Sequence, residues 1–334
     1  MPTAATRINE VAAGVYQIFL PLPTRPSIVN IYLVNCGDAW TLIDTGMRSE
    51  ESLAALEQSL NQAGIGIGQI DALIATHHHP DHYGASAEIR RRSGAPVHLH
   101  RLELERVDRM LSYERSSPLE RPETRDFFVR NGFPIERFAS DELKPTWMGA
   151  GLYDPATQPD VYIADGDVIR VGNRDFEVIW TPGHSPGHCV IYLRPEKILI
   201  VGDHLLPRIT PHVGFLPGGP ANPLGDFIAS QDKVKLSDVE LVLPAHGAVY
   251  ADHRRRADEL IEHHRGREAT ILDSIAHEPL SAFDVSSAVF GGGDRSLFHV
   301  MAATFETIAH LEYSCIGGRA RRVERDGCLL YEAV

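Results

Sequence analysis

Cysteine is scarce and scattered: Cys36, Cys189, Cys315 and Cys328 are the four in 334 residues, and no two form a C-x-x-C pair. That excludes a disulfide scaffold and a cysteine-built zinc knuckle, and it fits a reducing, cytoplasmic setting. No uninterrupted apolar run approaches the ~18 residues of a membrane span. Residues 1–10 have no basic start followed by an apolar stretch, so neither a membrane partner nor a secretory leader is expected. Positive charge is also short, with 32 Lys and Arg against 45 Asp and Glu, a formal net charge of −13 and an isoelectric point near 5.7. The global field therefore opposes the broad basic face with which proteins neutralise phosphates. Internal repeats and low-complexity tracts are absent. With 43% hydrophobic and 23% charged residues the chain is not a disordered one. Its length suggests one large domain and a smaller one, with a core that needs no staple to fold.

Histidine is abundant instead: there are 17, more than the 12 Phe or 10 Tyr. Their placement follows from a coarse reading of the chain. Residues 15–20, 31–34 and 40–43 are β-prone runs joined by a Gly37-Asp38 turn, and they lead into Asp44-Thr45-Gly46. Leu53, Leu56 and Leu60 share one face of a helix over 52–62. A buried strand over 72–75 runs into Thr76-His77-His78-His79-Pro80-Asp81-His82, and a helix over 85–92 ends in three arginines that suit its dipole. Residues 97–100 are strand-like again. The stretch 102–160 breaks this rhythm and reads as a lid-like insertion, partly helical. Strands return at 168–171, 176–180, 190–193, 198–201 and 239–243, with a Pro- and Gly-bearing loop over 206–223 and a helix over 227–236. From about residue 251 the pattern becomes helical and closes on a hairpin turning at Asp326-Gly327.

His77, His79, Asp81 and His82 form H-x-H-x-D-H directly after a buried strand, where Pro80 keeps a helix from starting before Asp81. Imidazole and carboxylate in such density suit zinc, iron, manganese or cobalt, and can feed two adjacent ions. The bland alternative, a surface histidine cluster, leaves Asp81 and the preceding strand as coincidence. Three more strands end in candidate ligands beside glycine: His184 in TPGHSPGH, Asp203 in GDH and His246 in PAHG.

This ordered set resembles the metallo-β-lactamase superfamily over roughly residues 15–250. The residues that carry the resemblance are Asp44-Thr45-Gly46, His77-x-His79-x-Asp81-His82, His184, Asp203 and His246. It implies an α/β fold, a four-layer αβ/βα sandwich with metals at the strand tips. Carried over residue by residue, it places one divalent ion on His77, His79 and His184 and a second on Asp81, His82 and His246. Asp203 would bridge them and a shared hydroxide would complete the pair, with zinc expected and iron or manganese as alternatives. Penicillin-hydrolysing branches commonly carry Cys or Ser where Asp203 stands, which argues against a true β-lactamase. Flavo-diiron oxidases carry Glu where His79 stands, and acyl-homoserine lactonases often have Tyr where Leu206 stands. The tail resembles members with a C-terminal winged-helix domain, among them a β-lactamase-like endoribonuclease; the catalytic part is also similar to the hydroxyacylglutathione-hydrolase-like branch. The expected division is therefore 1–255 for the catalytic domain and 256–334 for a winged-helix-like domain.

The expected activity is hydrolysis of an ester, thioester, lactone or similar small-molecule bond by hydroxide generated between two ions, with Asp81 or Asp203 orienting it. Two alternatives are single-stranded RNA cleavage and mononuclear iron sulfur dioxygenation. Asp44 either accepts a hydrogen bond from a ligand histidine or shapes the turn after its strand. Arg208, Thr210 and His212 are candidates for contact with a substrate oxyanion, or solvated loop residues. Tyr113, Trp147 and Met148 are candidates for an apolar lid, or packing residues of the insertion. His78, His188 and His204 flank ligands and read as structural, as do His98, His100 and the pair His263-His264; Cys189 reads as a small buried hydrophobe rather than a nucleophile. From residue 252 onward ten arginines face fourteen acidic residues, and only Arg319, Arg321, Arg322 and Arg325 cluster at the wing. That favours packing or homodimer formation over nucleic-acid reading for the tail.

Overall fold

The computed structural model describes residues 8–113, 121–135, 153–154, 158–291 and 297–334. Strands β1 (Ile8–Ala12), β2 (Val15–Pro21), β3 (Ile28–Asn35) and β4 (Trp40–Ile43) pair antiparallel in sequence order. β5 (Ala72–Ile74), β6 (Val97–His100) and β7 (Val161–Ile163) continue the sheet in parallel, giving seven strands. The parallel steps require crossovers, and these are α1 (Glu50–Gln62), then α2 (Pro80–Tyr83) with α3 (Ser86–Ser93), then a connection that includes α4 (Arg101–Tyr113) and α5 (Pro122–Arg130).

A second sheet contains β8 (Val168–Val171), β9 (Arg174–Trp180), β10 (Cys189–Leu193), β11 (Ile198–Gly202) and β12 (Leu241–Pro244), in the order β12-β11-β10-β9-β8. Only the β11/β12 pair is parallel, and α6 (Pro223–Val234) lies in the crossover between them. The chain ends with α7 (His253–Ser274), β13 (Leu280–Ser281), α8 (Ala282–Phe290), α9 (Leu297–Ile316), β14 (Ala320–Arg325) and β15 (Cys328–Ala333). The last three strands form a sheet in the order β13-β15-β14.

Side-chain alternation sorts these pieces into four layers. In β3, Tyr32 and Val34 face the second sheet, while Val29, Ile31 and Leu33 join Leu56 of α1 and Ile89 of α3 on the outer face. In β10 and β11, Cys189, Ile191, Ile198 and Ile200 fill the space between the sheets. Val190, Tyr192, Leu199 and Val201 pack outward on Phe227 of α6, Leu260 of α7 and Ala309 of α9. Burying each such side chain contributes roughly 1.5–3 kcal/mol, so the period of two fixes the register of every strand. The result is the expected αβ/βα sandwich.

Local signals explain most element ends. Ser49 caps α1, accepting from Ser52 N at 3.1 Å. Gly94, at φ 78°, closes α3 just after its three arginines. Two expectations shift. The turn α2 starts at Pro80 itself, although Pro80 was expected to keep a helix from starting before Asp81, because proline is well suited to the first helical position. For the same reason α6 begins at Pro223, capped by Asn222, instead of near residue 227. The expected domain boundary at 255/256 falls in the first turn of α7.

Among the described residues no helix is long and apolar enough to cross a membrane.

Candidate metal centre

The candidate ligands follow the C-terminal ends of strands, with Asp81 and His82 in the turn α2 that comes after β5. β5 delivers Thr76 and His77, β9 delivers the loop with His184, β11 delivers Asp203 and β12 delivers His246. Each tip is tightened by its neighbours. Gly202 adopts φ 49°, and a Cβ there would stand 2.8 Å from both His188 Nε2 and Thr76 Oγ1, so only glycine lets the strand turn Asp203 inward. The turn carrying His246 is clamped from β3: Asn30 donates to the carbonyls of Pro244 at 2.9 Å and Gly247 at 2.8 Å, and Tyr32 OH donates to Pro244 at 2.7 Å.

The structure brings His77, His79, His184 and Asp203 into one group, and Asp81, His82 and His246 into another, with the candidate ligand atoms of each group within 4.8 Å of one another. In the first, His79 Nδ1 lies 2.9 Å from His77 Nε2 and 3.0 Å from His184 Nε2. In the second, Asp81 Oδ2 lies 3.6 Å from His82 Nε2 and 3.4 Å from His246 Nε2. Asp203 stands between them. Its Oδ2 is 3.6 Å from His184 Nε2, and its Oδ1 is 3.6 Å from His82 Nε2 and 3.4 Å from His246 Nε2.

These separations can be tested against a bound ion. Tetrahedral bonds of about 2.0–2.1 Å put ligand atoms about 3.4 Å apart, close to what is seen around the second group. The tautomers agree as well. His82 Nδ1–H donates to Asp44 at 2.8 Å, His184 Nδ1–H to the His212 carbonyl at 2.8 Å, and His246 Nδ1–H to the Ile28 carbonyl at 2.9 Å. His77 Nδ1 pairs with Thr76 Oγ1 at 3.0 Å. Each of these four rings therefore turns its Nε2 toward the centre, where His79 presents Nδ1, the arrangement in which the far nitrogen of a metal ligand is held by a partner. His82 Nε2 and Asp203 Oδ1 are buried with no hydrogen-bond partner among the described residues. The donor set fits two divalent ions.

Electrostatics separates the two halves. Burial holds the imidazoles of His77, His79 and His184 below the ordinary histidine range, hence neutral. Burial acts the same way on His82, but the carboxylates of Asp81, Asp44 and Asp203 outweigh it and hold that ring well above the range. Burial would raise Asp203, yet His82, His246 and His184 keep it well below the usual carboxylate value. The second half thus gathers the carboxylates of Asp81, Asp44 and Asp203 around one imidazole, whereas the imidazoles of the first half are neutral.

Other sequence candidates take different places. Asp44 accepts from His82 and from the backbone N of Thr76. Arg208 and Thr210 are exposed and outside both ligand groups. His212 is tied by Nε2 to the Ala302 carbonyl at 2.9 Å and does not join the ligand groups. Tyr113 ends α4, and Trp147 and Met148 lie outside the described residues. His188 and His204 are fully buried, His100 stacks on Trp180, and Cys189 is buried at the start of β10. Glu103 was not singled out by its sequence context. Fully buried on α4, it accepts from His78 N at 2.7 Å, from the His78 ring, and from Gly187 N. It ties together the two loops that carry His77, His79 and His184. Only an acidic residue early in a helix marks it in the sequence, too common a signal to read.

Comparison with known proteins agrees with this geometry. The chain is 30% identical to a metallo-beta-lactamase family protein from Thermus thermophilus, covering 97% of this chain and 100% of that one with a TM-score of 0.82. A beta-lactamase domain protein from Burkholderia ambifaria is 25% identical, with a TM-score of 0.84 over 100% of this chain and 95% of that one. The "Probable metallo-hydrolase YqjP" of Bacillus subtilis is 24% identical over 89% of this chain and 91% of its own length. The human "Acyl-coenzyme A thioesterase MBLAC2" is 28% identical over 67% of this chain and 75% of its own. Residues 24–246, from before β3 to the last candidate ligand, match the metallo-beta-lactamase superfamily as a family, and the chain belongs to it.

Proposed function

We propose that this protein is a binuclear metal-dependent hydrolase of small acyl compounds, with a thioester as the first substrate to try. The observation that carries the reading is Asp203, whose two carboxylate oxygens face the two ligand groups separately. When bound, two divalent ions, of which zinc suits the nitrogen-rich donor set, supply a water of lowered pKa as nucleophile and polarise the acyl carbonyl. The residues do the rest. His77, His79, His184, Asp81, His82 and His246 would hold the ions with Asp203 as a ligand common to both groups, and Asp44 keeps His82 in the ligating tautomer. Asp81 and Asp203 orient the attacking water. Water adds across the acyl–sulfur bond, releasing a carboxylate and a thiol. The thioester preference is supported by the name of the human relative.

The tail has the element order helix, strand, helix, helix, hairpin, as in a winged helix, and we assign it a packing role. Arg319 pairs with Glu268, Arg321 with Glu332 and Arg322 with Glu312, so three of the four wing arginines are already engaged within the chain. This supports a small-molecule substrate over RNA.

The test is a hydrolysis panel of acyl-coenzyme A, lactone, β-lactam and RNA substrates on protein of measured metal content. Turnover of the thioester by protein holding two ions, abolished in Asp203→Ala, is the expected result. A single iron per chain, or RNA cleavage that falls steeply with salt, overturns it.

A further inference from the structure

The loop that follows Asp203 is held by α6 and, beyond the family's matched residues, which end at His246, by Tyr250, α7 and α9. Its carbonyls are bonded one after another. Gln231 of α6 donates to His204 at 3.0 Å and Tyr250 OH to Leu205 at 2.8 Å. Arg256 of α7, mostly buried, donates Nε to Leu206 at 2.6 Å and a terminal nitrogen to Ile209 at 3.0 Å. Farther along, the loop docks on α9. Phe215 N donates to the Phe305 carbonyl at 3.0 Å, and the His212 ring donates to the Ala302 carbonyl at 2.9 Å. Both carbonyls lie inside a helix, where a second lone pair remains available after the helical bond. Gly214 makes the approach possible, since a Cβ there would stand 2.6 Å from the His212 ring and 3.2 Å from Phe305 Cβ.

The consequence lies at His184. Its Nδ1–H donates to the backbone carbonyl of His212 at 2.8 Å, the bond that turns Nε2 toward the centre. The His212 side chain and its own carbonyl therefore join α9 to a candidate metal ligand in two hydrogen bonds. We propose that His212 is a positioning residue through which α9 sets the orientation of His184, and that Arg256 positions the same loop on the Asp203 side. The C-terminal segment is then part of the metal centre's support. This inference rests on the hydrolase reading, because it requires His184 to hold an ion.

A positioning role differs from a general structural one in being specific to one half of the centre. The experiment titrates full-length, metal-free protein with Co2+ alone and follows visible absorption, with His184→Ala and His246→Ala marking which binding step belongs to which group. His212→Ala, which keeps the backbone carbonyl but loses the anchor, should weaken the His184 step about tenfold, as outer partners of ligands do, and change the His246 step less than twofold. His212→Gln, whose amide can again donate to Ala302, should recover most of the loss. Arg256→Gln is the independent variant should His212→Ala fold poorly, and it should raise hydrogen exchange at residues 205–210 in metal-free protein. Equal weakening of both steps, no weakening, or no recovery in His212→Gln overturns the proposal. Wild-type protein that binds no Co2+ removes the hydrolase reading and this inference with it. Two normal steps in both wild type and His212→Ala removes this inference alone.

Discussion

Asp44 Oδ2 accepts the Nδ1–H of His82 at 2.8 Å while its Oδ1 accepts the backbone N–H of Thr76 at the same distance. One carboxylate at the tip of β4 thus fixes a ligand on α2 and the strand end that carries His77. It does so from φ 62°, a left-handed conformation that costs a side-chain-bearing residue about 1–2 kcal/mol. Asp44→Ala keeps the strain and loses both acceptors, so metal affinity at the His82 side should fall about 10–100-fold in chelator competition. Asp44→Gly loses the acceptors but relaxes the backbone, and should unfold at higher urea than Asp44→Ala by about 1 kcal/mol. Equal stability of the two would mean that the backbone carries no strain here.

Removing metal should destabilise the protein. Five imidazoles and two carboxylates converge on the centre, and an ion at a hundred times its dissociation constant stabilises the folded state by about 2.7 kcal/mol. For a chain of this size that is a melting shift of roughly 5 °C. Calorimetry with and without chelator should show the drop, and added Zn2+ should reverse it. An unchanged melting temperature would contradict the ligand assignment.

Glu103 predicts a stability loss in a different place. It is wholly buried, and replacing it with alanine strands His78 N, the His78 ring and Gly187 N away from water. Each stranded donor costs about 1–3 kcal/mol, so urea unfolding of Glu103→Ala should show a loss of about 3 kcal/mol or more. Glu103→Gln keeps the volume and one acceptor and should lose about half as much. Burial alone would raise this carboxyl, but the His78 ring and backbone hold it well below the ordinary value. Its contribution is therefore present above the unfolded carboxylate range, near 4.3, and lost as pH falls through the lower folded value.

Acid should act earlier through histidine. His310 Nδ1–H donates to the Glu306 carbonyl at 2.9 Å, which leaves its Nε2 to accept from His264 Nδ1 at 3.3 Å. Both rings are neutral in this pair. Burial pushes His264 down to about 3 and lowers His310 too. Between the unfolded value near 6.5 and the folded one, the unfolded chain binds protons that the folded chain does not, so stability falls as pH falls. At pH 5 the loss is at most about 2 kcal/mol per ring. The slope of unfolding free energy against pH between 6.5 and 4 should be shallower in His264→Leu than in wild type.

How much of this was legible in the sequence depended on distance along the chain. Ten strands of the two sheets, the helix over α1 and the hairpin of β14 and β15 are written in periods of two and of 3.6 and in turn residues, all local signals, whereas the edge strands β1 and β7 were not read from the sequence. The ligand types were legible for the same reason, because Pro80 and the glycines at 183, 202 and 247 mark each strand tip where a ligand sits. Helix starts at Pro80 and Pro223 were misjudged, since proline both ends one conformation and begins another, and the two uses look alike without the backbone.

By itself, then, the sequence determined most strands and helices and the candidate ligand types, because alternation and tip residues act over a few positions, while the layered α/β architecture was legible only through the resemblance that the ordered ligand motifs carry. Only the tertiary structure decided what orients those ligands. Glu103 lies 25 residues from His78, and His212 lies 90 from Ala302. A hydrogen bond of about 1 kcal/mol between such residues leaves no periodic trace along the chain, and it exists only after two sheets and three outer helices have packed.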